Sequence, residues 1–347
     1  MSIRDSVARV IEHTKLSGLV FDIRRNLRAP LLTVVNYHRV HQPSAVSMVD
    51  EGVLDATPQS LDRQVAFIKR HFAIVDLDQV RAWQRGAALP PNPALITFDD
   101  GYLDCHERAL PILRRHGVKA TFFITTDYIE RRRLFWWDKI AWIVKHTQQE
   151  TIFLTHPSPV VLSMRQGVDH VIRGLIRYVK VTFGLNVDRY VAELAVAARV
   201  PMNVELERSL ADQLLMTWEH VRALRKAGMD IGSHTRTHRP LETLEFGVLR
   251  DELEGSRADL EDILQEPIDA ISYPVGRPLA HKPILRQAVA SSGYQLGFTH
   301  DTGVQYTLGH VDPLDIHRFA AARGAEEAVF LASLALPPLG YTRPAED

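Results

Sequence analysis

The fold is decided by one stretch of the sequence, ALITFDDGY at residues 94–102. Its apolar and β-branched residues predict a buried strand, and the Asp-Asp-Gly that follows is typical of the turn that leaves such a strand. We therefore expect Asp99 and Asp100 at the carboxyl end of a strand. In α/β folds that edge carries binding and catalytic residues, because loops from several strands converge there. An Asx-type turn with an Asp helix cap is the alternative interpretation.

Strands and helices alternate on both sides of this stretch. Strands are predicted at 31–38, 72–75, 120–125, 229–232, 270–274, 295–299 and 314–319, and helices at 57–72, 77–85, 103–116, 217–228, 242–264 and 284–292. Such alternation is typical of a parallel α/β sheet or barrel. From about residue 131 to 215 the apolar spacing becomes helical instead. This change predicts a mostly helical insertion within the α/β domain.

The chain is expected to have three parts: an amphipathic helical segment at 1–30, the α/β domain at 31–325 with its insertion, and a C-terminal tail at 326–347. The prolines after Ala335 predict an irregular end. The basic amphipathic segment at 1–30 could contact a membrane surface or pack on its own domain.

Composition excludes several classes of function. The 347 residues carry a net charge of -1, which argues against a nucleic-acid-binding protein. The one cysteine, Cys105, excludes an internal disulfide and a cysteine zinc site. No apolar run approaches the roughly 18 residues of a membrane span. Since the first residues mix charges and lack an apolar core, no secretory signal is predicted. We expect a cytoplasmic protein, with the inner membrane face as a possible place of action.

Two histidines four residues apart, His234 and His238, leave another predicted strand. On a helical turn such residues share one face, so both imidazoles can bind one ion. The Asp99-Asp100 pair offers a hard oxygen donor as a third ligand. Two histidines and one carboxylate with an open position are typical of a catalytic metal site, since structural zinc sites usually close with four protein ligands.

These motifs resemble those of the polysaccharide deacetylases with a NodB-homology domain, carbohydrate esterase family 4. TFDDGY at 97–102 is similar to the family's first motif, HTRTH at 234–238 to its second and YPVG at 273–276 to its third. The resemblance extends over about residues 31–319. It implies a distorted (β/α)-barrel of about seven strands and a carbohydrate substrate, for example an exopolysaccharide.

The resemblance also implies a site. One divalent metal ion, expected to be zinc with cobalt or nickel as alternatives, would be held by Asp100, His234 and His238. Asp99 would be the general base that accepts the proton of a water molecule acidified by the metal. The backbone N–H of Val275 would stabilise the oxyanion, although the family usually carries Tyr there.

Other positions of the family pattern are less complete in this chain. Tyr273 and Arg277 flank the Val275 turn and are expected to contact substrate. Ser272 stands where the family has an Arg that orients the base, so Arg277 or Arg318 is expected to replace it. LDIH at 314–317 fits the fifth motif, which makes His317 either the general acid or a structural histidine. The fourth motif has no clear match, and Asp301 or Asp315 could take part.

The sequence therefore predicts a metal-dependent deacetylase of N-acetylated amino sugars. Hydrolysis of a small non-sugar amide is one alternative. A carbohydrate-binding protein that kept the metal site without turnover is another, suggested by the absent third-motif Arg. In the insertion, Trp136 and Trp137 could form a sugar-stacking wall or belong to the core.

Overall fold

Thirteen strands are found in the computed structural model, which describes residues 21, 31–43, 49–279, 282–300, 303–306, 311–321 and 327–335. They are β1 (Leu31–Tyr37), β2 (Arg39–Val40), β3 (Leu54–Ala56), β4 (Ala73–Ile74), β5 (Pro93–Phe98), β6 (Thr121–Ile124), β7 (Thr151–Leu154), β8 (Val160–Ser163), β9 (Asp230–Ser233), β10 (Ala270–Ser272), β11 (Leu296–Phe298), β12 (Gln305–Tyr306) and β13 (Phe319–Ala320).

The helices of the described residues surround these strands. They are α1 (Pro58–His71), α2 (Leu77–Gln84), α3 (Leu110–His116), α4 (Thr126–Arg131), α5 (Trp136–His146), α6 (Val168–Val181), α7 (Val187–Ala197), α8 (Val204–Leu214), α9 (Trp218–Lys226), α10 (Phe246–Arg250), α11 (Ser256–Leu264), α12 (Pro283–Ser291) and α13 (Glu327–Ala335). Short π-helical turns precede α3 and α11, at Cys105–Ala109 and Asp251–Gly255.

Seven parallel strands form a curled half-barrel at the centre of the protein. Their order is β11-β10-β9-β6-β5-β1, and β13 pairs in parallel with β1, while β4 and β12 extend the same sheet. Ile316 forms a parallel bridge with Phe298 of β11, and Phe319 pairs with Val35 of β1. The segment 316–320 therefore connects the two ends of the sheet. The predicted distorted (β/α)-barrel of about seven strands is confirmed.

The alternation of side chains along β5 explains its position at the centre of the sheet. All six of its residues are buried. Ile96 belongs to the large core that includes α1 and α3, whereas Leu95 belongs to a second cluster with Phe123 and Phe298. Since side chains alternate along a strand, the face of Leu95 is also the face of Thr97 and Asp99. An apolar strand with both faces covered is typical of parallel sheets.

The structure differs from the sequence prediction in several elements. The helix predicted over 242–264 is divided into a 3-10 turn at Leu241–Thr243, α10, a π-helical turn and α11. The insertion contains an antiparallel hairpin, β7–β8, besides its helices. In the segment predicted as a tail, α13 is helical, and residues 336–347 lie outside the described residues. Apart from Phe21, the predicted segment at 1–30 also lies outside them.

No helix in the described part of the chain is both long enough and apolar enough to cross a membrane.

Replacing Ile96 with Ala should lower the free energy of unfolding by about 2–5 kcal/mol, because the fully buried side chain leaves a cavity in the main core. Ile284→Ala is the matched control, since Ile284 is 74% exposed on α12 and should change stability by less than about 0.5 kcal/mol. Urea denaturation of both variants measures the difference. Equal destabilisation by the two substitutions would contradict the assignment of β5 to the centre of the core.

Candidate active site

A sharp turn after β5 separates the two neighbouring carboxylates. The N–H of Asp99 donates to the carbonyl of Tyr37 at 2.8 Å, so Asp99 still follows the β1–β5 pairing. Asp100 and Gly101 then adopt left-handed backbone, with φ of 75° and 99°. As a result the Asp99 carboxylate contacts Arg318, while the Asp100 carboxylate faces two histidines. The turn is closed by the backbone, because the Gly101 N–H donates to the Asp99 carbonyl at 3.0 Å.

Asp100, His234 and His238 converge on one point. The Nε2 atoms of both histidines lie 3.4 Å from Oδ1 of Asp100, and the three ligand atoms lie within 4.8 Å of one another. Asp100 and His234 are buried. Oδ1 of Asp100 is buried without a hydrogen-bond donor, which is costly for a carboxylate oxygen. The donor set and this unsatisfied oxygen fit a divalent cation held by one carboxylate and two imidazoles.

The local backbone differs from the helical turn predicted for the two histidines. Residues 234–238 form a loop after β9, in which Thr235 and His238 have φ of 64° and 51°. The two rings still meet, with centroids 4.8 Å apart. Left-handed backbone at a β-branched residue is unfavourable and persists only where the surroundings enforce it. The convergence of the rings therefore depends on contacts that hold this loop.

Glu252 holds the histidine loop and was not singled out from the sequence. One of its carboxylate oxygens accepts from the backbone N–H of Arg236 at 2.9 Å and of Thr237 at 2.8 Å, and the other accepts from the Thr237 hydroxyl. Glu252 is buried on the π-helical turn before α11. Burial raises the pKa of its carboxyl, although the loop donors oppose the rise. A charged residue within a predicted surface helix had no sequence signal for this role.

Both imidazoles are prepared to act as ligands. Nδ1 of His234 lies 2.8 Å from the carbonyl of Ser272, which can only accept, so Nδ1 carries the proton and Nε2 keeps its lone pair. Burial lowers the pKa of His238 to about 3, with Asp100 opposing the shift, so this ring is neutral at neutral pH.

Trp136 and Trp137 both contact His238. The Trp137 ring packs on the His238 ring at 4.4 Å, and the Trp136 indole N–H donates to the His238 carbonyl at 3.3 Å. Each Trp is only 3% exposed. They therefore belong to the core that packs around His238, which is the second of the two interpretations of this Trp pair.

Four donors surround the carboxylate of Asp99. Arg318 forms a bidentate pair with it at 2.9 and 2.8 Å, and the Ser272 hydroxyl and the Asn36 amide donate at 3.1 and 3.2 Å. Burial alone would raise the pKa of Asp99, but Arg318 and then His234 outweigh it and hold the pKa well below its usual range. Asp99 is therefore an oriented carboxylate anion.

Of the two candidate arginines, Arg318 contacts Asp99. Its guanidinium is 1% exposed and also donates to the Thr299 carbonyl at 2.7 Å. Arg277 is exposed and pairs with Glu242. Ser272, at the position of the family's Arg, accepts from Arg318 at 2.8 Å. The departure in the third motif is thus compensated by a residue from the segment that closes the barrel.

His38 is a second residue that sequence reasoning did not assign to the site. Its Nε2 lies 4.0 Å from Asp99, and its Nδ1 lies 2.8 Å from Asp55. Burial by itself lowers the pKa of His38, but Asp55, Asp100 and Asp99 together raise it to about 9. The sequence contained one signal for this position, because His38 directly follows the predicted strand β1. In the structure β1 pairs with β5 and Tyr37 lies opposite Phe98, which places His38 at the same edge as Asp99.

The turn after β10 carries the predicted oxyanion donor. Val275 lies in a 3-10 turn at Pro274–Gly276 and has left-handed backbone, with φ of 63°. Gly276 is required next to it, because a Cβ there would lie 2.1 Å from the Cβ of His300. The Tyr273 hydroxyl donates to the Leu314 carbonyl at 2.8 Å in the core, so this side chain supports the turn.

The remaining predicted residues are Asp315, Asp301 and His317. Asp315 is buried and accepts from the N–H of Leu279 at 3.2 Å. Asp301 lies outside the described residues. His317 directly precedes Arg318 in an extended segment, where neighbouring side chains point to opposite sides. Its role as general acid stays a prediction.

A family model and several known proteins show what this chain is similar to. The model of the family Polysaccharide deacetylase matches residues 86–169 and 177–297, more than half of the chain. The protein belongs to the polysaccharide deacetylase family. Both the Asp99-Asp100 turn and the histidine loop lie within the matched residues.

One curated relative and several solved structures are similar to this chain. YxkH of Bacillus subtilis, which is named for the same family, is 21% identical over 209 residues, or 60% of this chain and 45% of the relative. The chain thus spans about half the length of that relative. The deacetylase PplD of Streptococcus pyogenes matches with a TM-score of 0.56 and 17% identity, over 86% of this chain and 96% of PplD.

IcaB of Ammonifex degensii matches with a TM-score of 0.53 and 15% identity, over 88% of this chain and 97% of IcaB. At these identities the solved structures show a shared fold.

Replacing His238 with Ala should abolish stoichiometric binding of zinc, cobalt or nickel, because two ligands remain where three converge. His170→Ala is the matched control, since His170 is exposed on α6 and should leave binding unchanged. Metal analysis after dialysis measures both variants. Full metal retention by His238→Ala would contradict the assignment of His238 as a ligand.

Proposed function

We propose that the protein is a metal-dependent hydrolase that removes N-acetyl groups from the amino sugars of a polysaccharide or glycan precursor, such as an exopolysaccharide. The observation that carries this proposal is the buried Oδ1 of Asp100, which lacks a hydrogen-bond donor and faces the Nε2 atoms of His234 and His238. This cluster of Asp100, His234 and His238 lies beside an ionised Asp99 that is held by Arg318. Membership in the polysaccharide deacetylase family supports the choice of substrate.

Asp100, His234 and His238 would hold one divalent cation. Zinc is the expected ion, with cobalt or nickel as alternatives, because two imidazoles and one carboxylate suit these borderline metals. When bound, such an ion polarises a carbonyl and acidifies water. Three protein ligands leave a position open for water or substrate, as in catalytic sites.

Asp99 is the general base of the proposed reaction. Its carboxylate is ionised at neutral pH and is held in one orientation by Arg318, Ser272 and Asn36. A carboxylate with so low a pKa accepts a proton poorly from ordinary water, so its transfer partner must be acidified water. The four donors therefore set the position of Asp99, and a cation held by Asp100, His234 and His238 would supply the acidity of the attacking water.

His38 is a second candidate for the general acid, besides His317. With a pKa of about 9 its imidazole is protonated at neutral pH, and its Nε2 points toward Asp99 at 4.0 Å. From there it can donate a proton to the leaving amine nitrogen. The backbone N–H of Val275 would stabilise the oxyanion from the opposite loop.

The contact between Arg318 and Asp99 supports an enzyme over a non-catalytic binding protein. That alternative depended on the missing third-motif Arg, and Arg318 makes the contact with Asp99 that such an Arg would make.

Replacing Asp99 with Asn should lower acetate release from N-acetylglucosamine oligomers by about 10²–10⁴-fold, because the proton acceptor is lost. Metal content should be retained, since Asp99 is outside the predicted ligand set. Asp169→Asn, an exposed substitution on α6, is the control. Unchanged activity in Asp99→Asn would show that another group is the base. A panel of small amides tested in parallel separates a sugar deacetylase from a small-amide hydrolase.

Replacing Asp55 with Asn should move the alkaline limit of activity to lower pH. An acid must be protonated to act, so kcat/KM is expected to fall as pH rises through the pKa of His38, about 9 in the unsubstituted protein. Asp55 is the main partner that raises this pKa, so its loss lowers the limit. A pH-rate profile measures the shift.

The matched control for this profile is Asp62→Asn, which removes a carboxylate beside His116 on the surface and should leave the profile unchanged. If His317→Gln abolishes the alkaline limb while His38→Gln preserves it, His317 is the acid.

A further inference from the structure

His238 lacks the hydrogen bond that orients the ring of His234. Nδ1 of His234 lies 2.8 Å from the Ser272 carbonyl, whereas Nδ1 of His238 is buried and has no hydrogen-bond partner among the described residues. A histidine that binds a metal through Nε2 normally donates its other ring N–H to an acceptor, which fixes the plane of the ring. Packing must therefore orient the His238 ring.

The Trp137 ring provides this packing. Its centroid lies 4.4 Å from that of the His238 ring, at an interplanar angle of 55°. Trp136 bonds to the His238 carbonyl and so holds the backbone of this residue. In a close-packed interior an imidazole cannot turn without displacing the ring that it contacts. The position of Trp137 thus limits the direction in which Nε2 of His238 can point.

Tyr102 in turn holds Trp137. The Trp137 indole N–H donates to the Tyr102 hydroxyl at 2.7 Å. An indole nitrogen can only donate, so the phenol oxygen is the acceptor, and the phenol proton goes to Oδ2 of Asp138 at 2.8 Å. Burial raises the pKa of Tyr102 well above its usual value, so the hydroxyl keeps this proton. The direction of both hydrogen bonds is therefore fixed.

The Tyr102 side chain is held at its ring as well as at its hydroxyl. It is fully buried, and the Arg39 guanidinium lies 4.6 Å from its ring centroid. Asp138, which is also fully buried, accepts a second hydrogen bond from the backbone N–H of Asp50 at 3.0 Å. Buried polar groups that lose a partner are costly, so these contacts persist together. Trp137 is thus bonded to a side chain that has little freedom to move.

Tyr102 also belongs to the segment that carries Asp100. It lies two residues after Asp100 in TFDDGY at 97–102, and the Gly101 between them accepts from the Met216 N–H at 3.0 Å. Through Trp137 its hydroxyl therefore connects the turn after β5 with the histidine loop. These are the two segments whose side chains converge at the proposed metal site.

We propose that Tyr102 is a positioning residue of the metal site, which sets the direction of His238 Nε2 by holding the Trp137 ring. This inference rests on the proposed function, in which Asp100, His234 and His238 bind a metal ion. It gives the tyrosine of TFDDGY a role that differs from those of the two neighbouring carboxylates.

Replacing Tyr102 with Phe tests the proposal, because Phe keeps the ring and removes only the hydroxyl. Zinc affinity, measured by competition with a chelator, should fall at least about ten-fold, the usual effect of losing a contact that orients a metal ligand. Tyr37→Phe is the matched control, since the Tyr37 hydroxyl donates to Gln64 at 2.8 Å in the core. It should keep full zinc affinity. Unchanged affinity in Tyr102→Phe, or an equal loss in both variants, would overturn the proposal.

A second substitution determines whether Tyr102 acts through Trp137. Trp137→Phe keeps an aromatic ring but removes the indole N–H, so the Tyr102 hydroxyl has no donor there. In this background Tyr102→Phe should lower zinc affinity no further, because the hydrogen bond is already absent. If Tyr102→Phe caused the same loss with and without the indole, Tyr102 would not act through Trp137 and the proposal would be wrong.

NMR of the metal-free protein separates this proposal from the proposed function. The His238 ring protons lie close to the Trp137 ring, so its ring current makes their chemical shifts a measure of the packing. Tyr102→Phe should change these shifts and speed exchange of the Trp137 indole N–H with water, whereas Tyr37→Phe should change neither. If the protein binds no divalent metal ion, the proposed metal site fails, yet changed His238 shifts would still show that Tyr102 positions this ring. Unchanged shifts in Tyr102→Phe would overturn the inference.

Discussion

The buried ion pair between Arg318 and Asp99 connects the fold to the chemistry. Arg318 belongs to the segment that joins β11 to β1, so the residue that closes the barrel also orients the carboxylate at the end of β5. Removing one partner of a buried pair leaves an uncompensated charge, which typically costs about 3–5 kcal/mol. Closure of the barrel and ionisation of Asp99 are therefore coupled in this protein. Asn36 on β1 and Ser272 on β10 also accept hydrogen bonds from the Arg318 guanidinium.

Backbone strain concentrates at the same edge of the sheet. Asp100, Thr235, His238 and Val275 all have left-handed φ values, and each lies at or beside a proposed functional atom. Such conformations persist only where other contacts enforce them. Glu252 supplies these contacts for the histidine loop through two backbone amides and one hydroxyl. The geometry of the histidine loop thus depends on a buried carboxylate that binds the loop backbone and the Thr237 hydroxyl.

The insertion contributes to the site from outside the barrel. Trp137 packs on His238 and donates to the Tyr102 hydroxyl at 2.7 Å, which in turn donates to Asp138 at 2.8 Å. Burial raises the pKa of Asp138 to about 7, with Arg39 opposing the rise. This chain of contacts fixes α5 to the turn that carries Asp100. The same helix carries Trp136, whose indole N–H donates to the His238 carbonyl.

The sequence by itself determined the parallel α/β barrel, the buried strand β5 and the convergence of Asp99-Asp100 with His234 and His238 on one edge. It could do so because alternation of strands and helices and the clustering of polar residues at strand ends are local patterns. The tertiary structure alone decided that Arg318 contacts Asp99, that Glu252 holds the histidine loop and that His38 lies beside Asp99. These contacts join residues far apart in the chain, and their partners depend on strand order, register and a π-helical turn that no local pattern encodes.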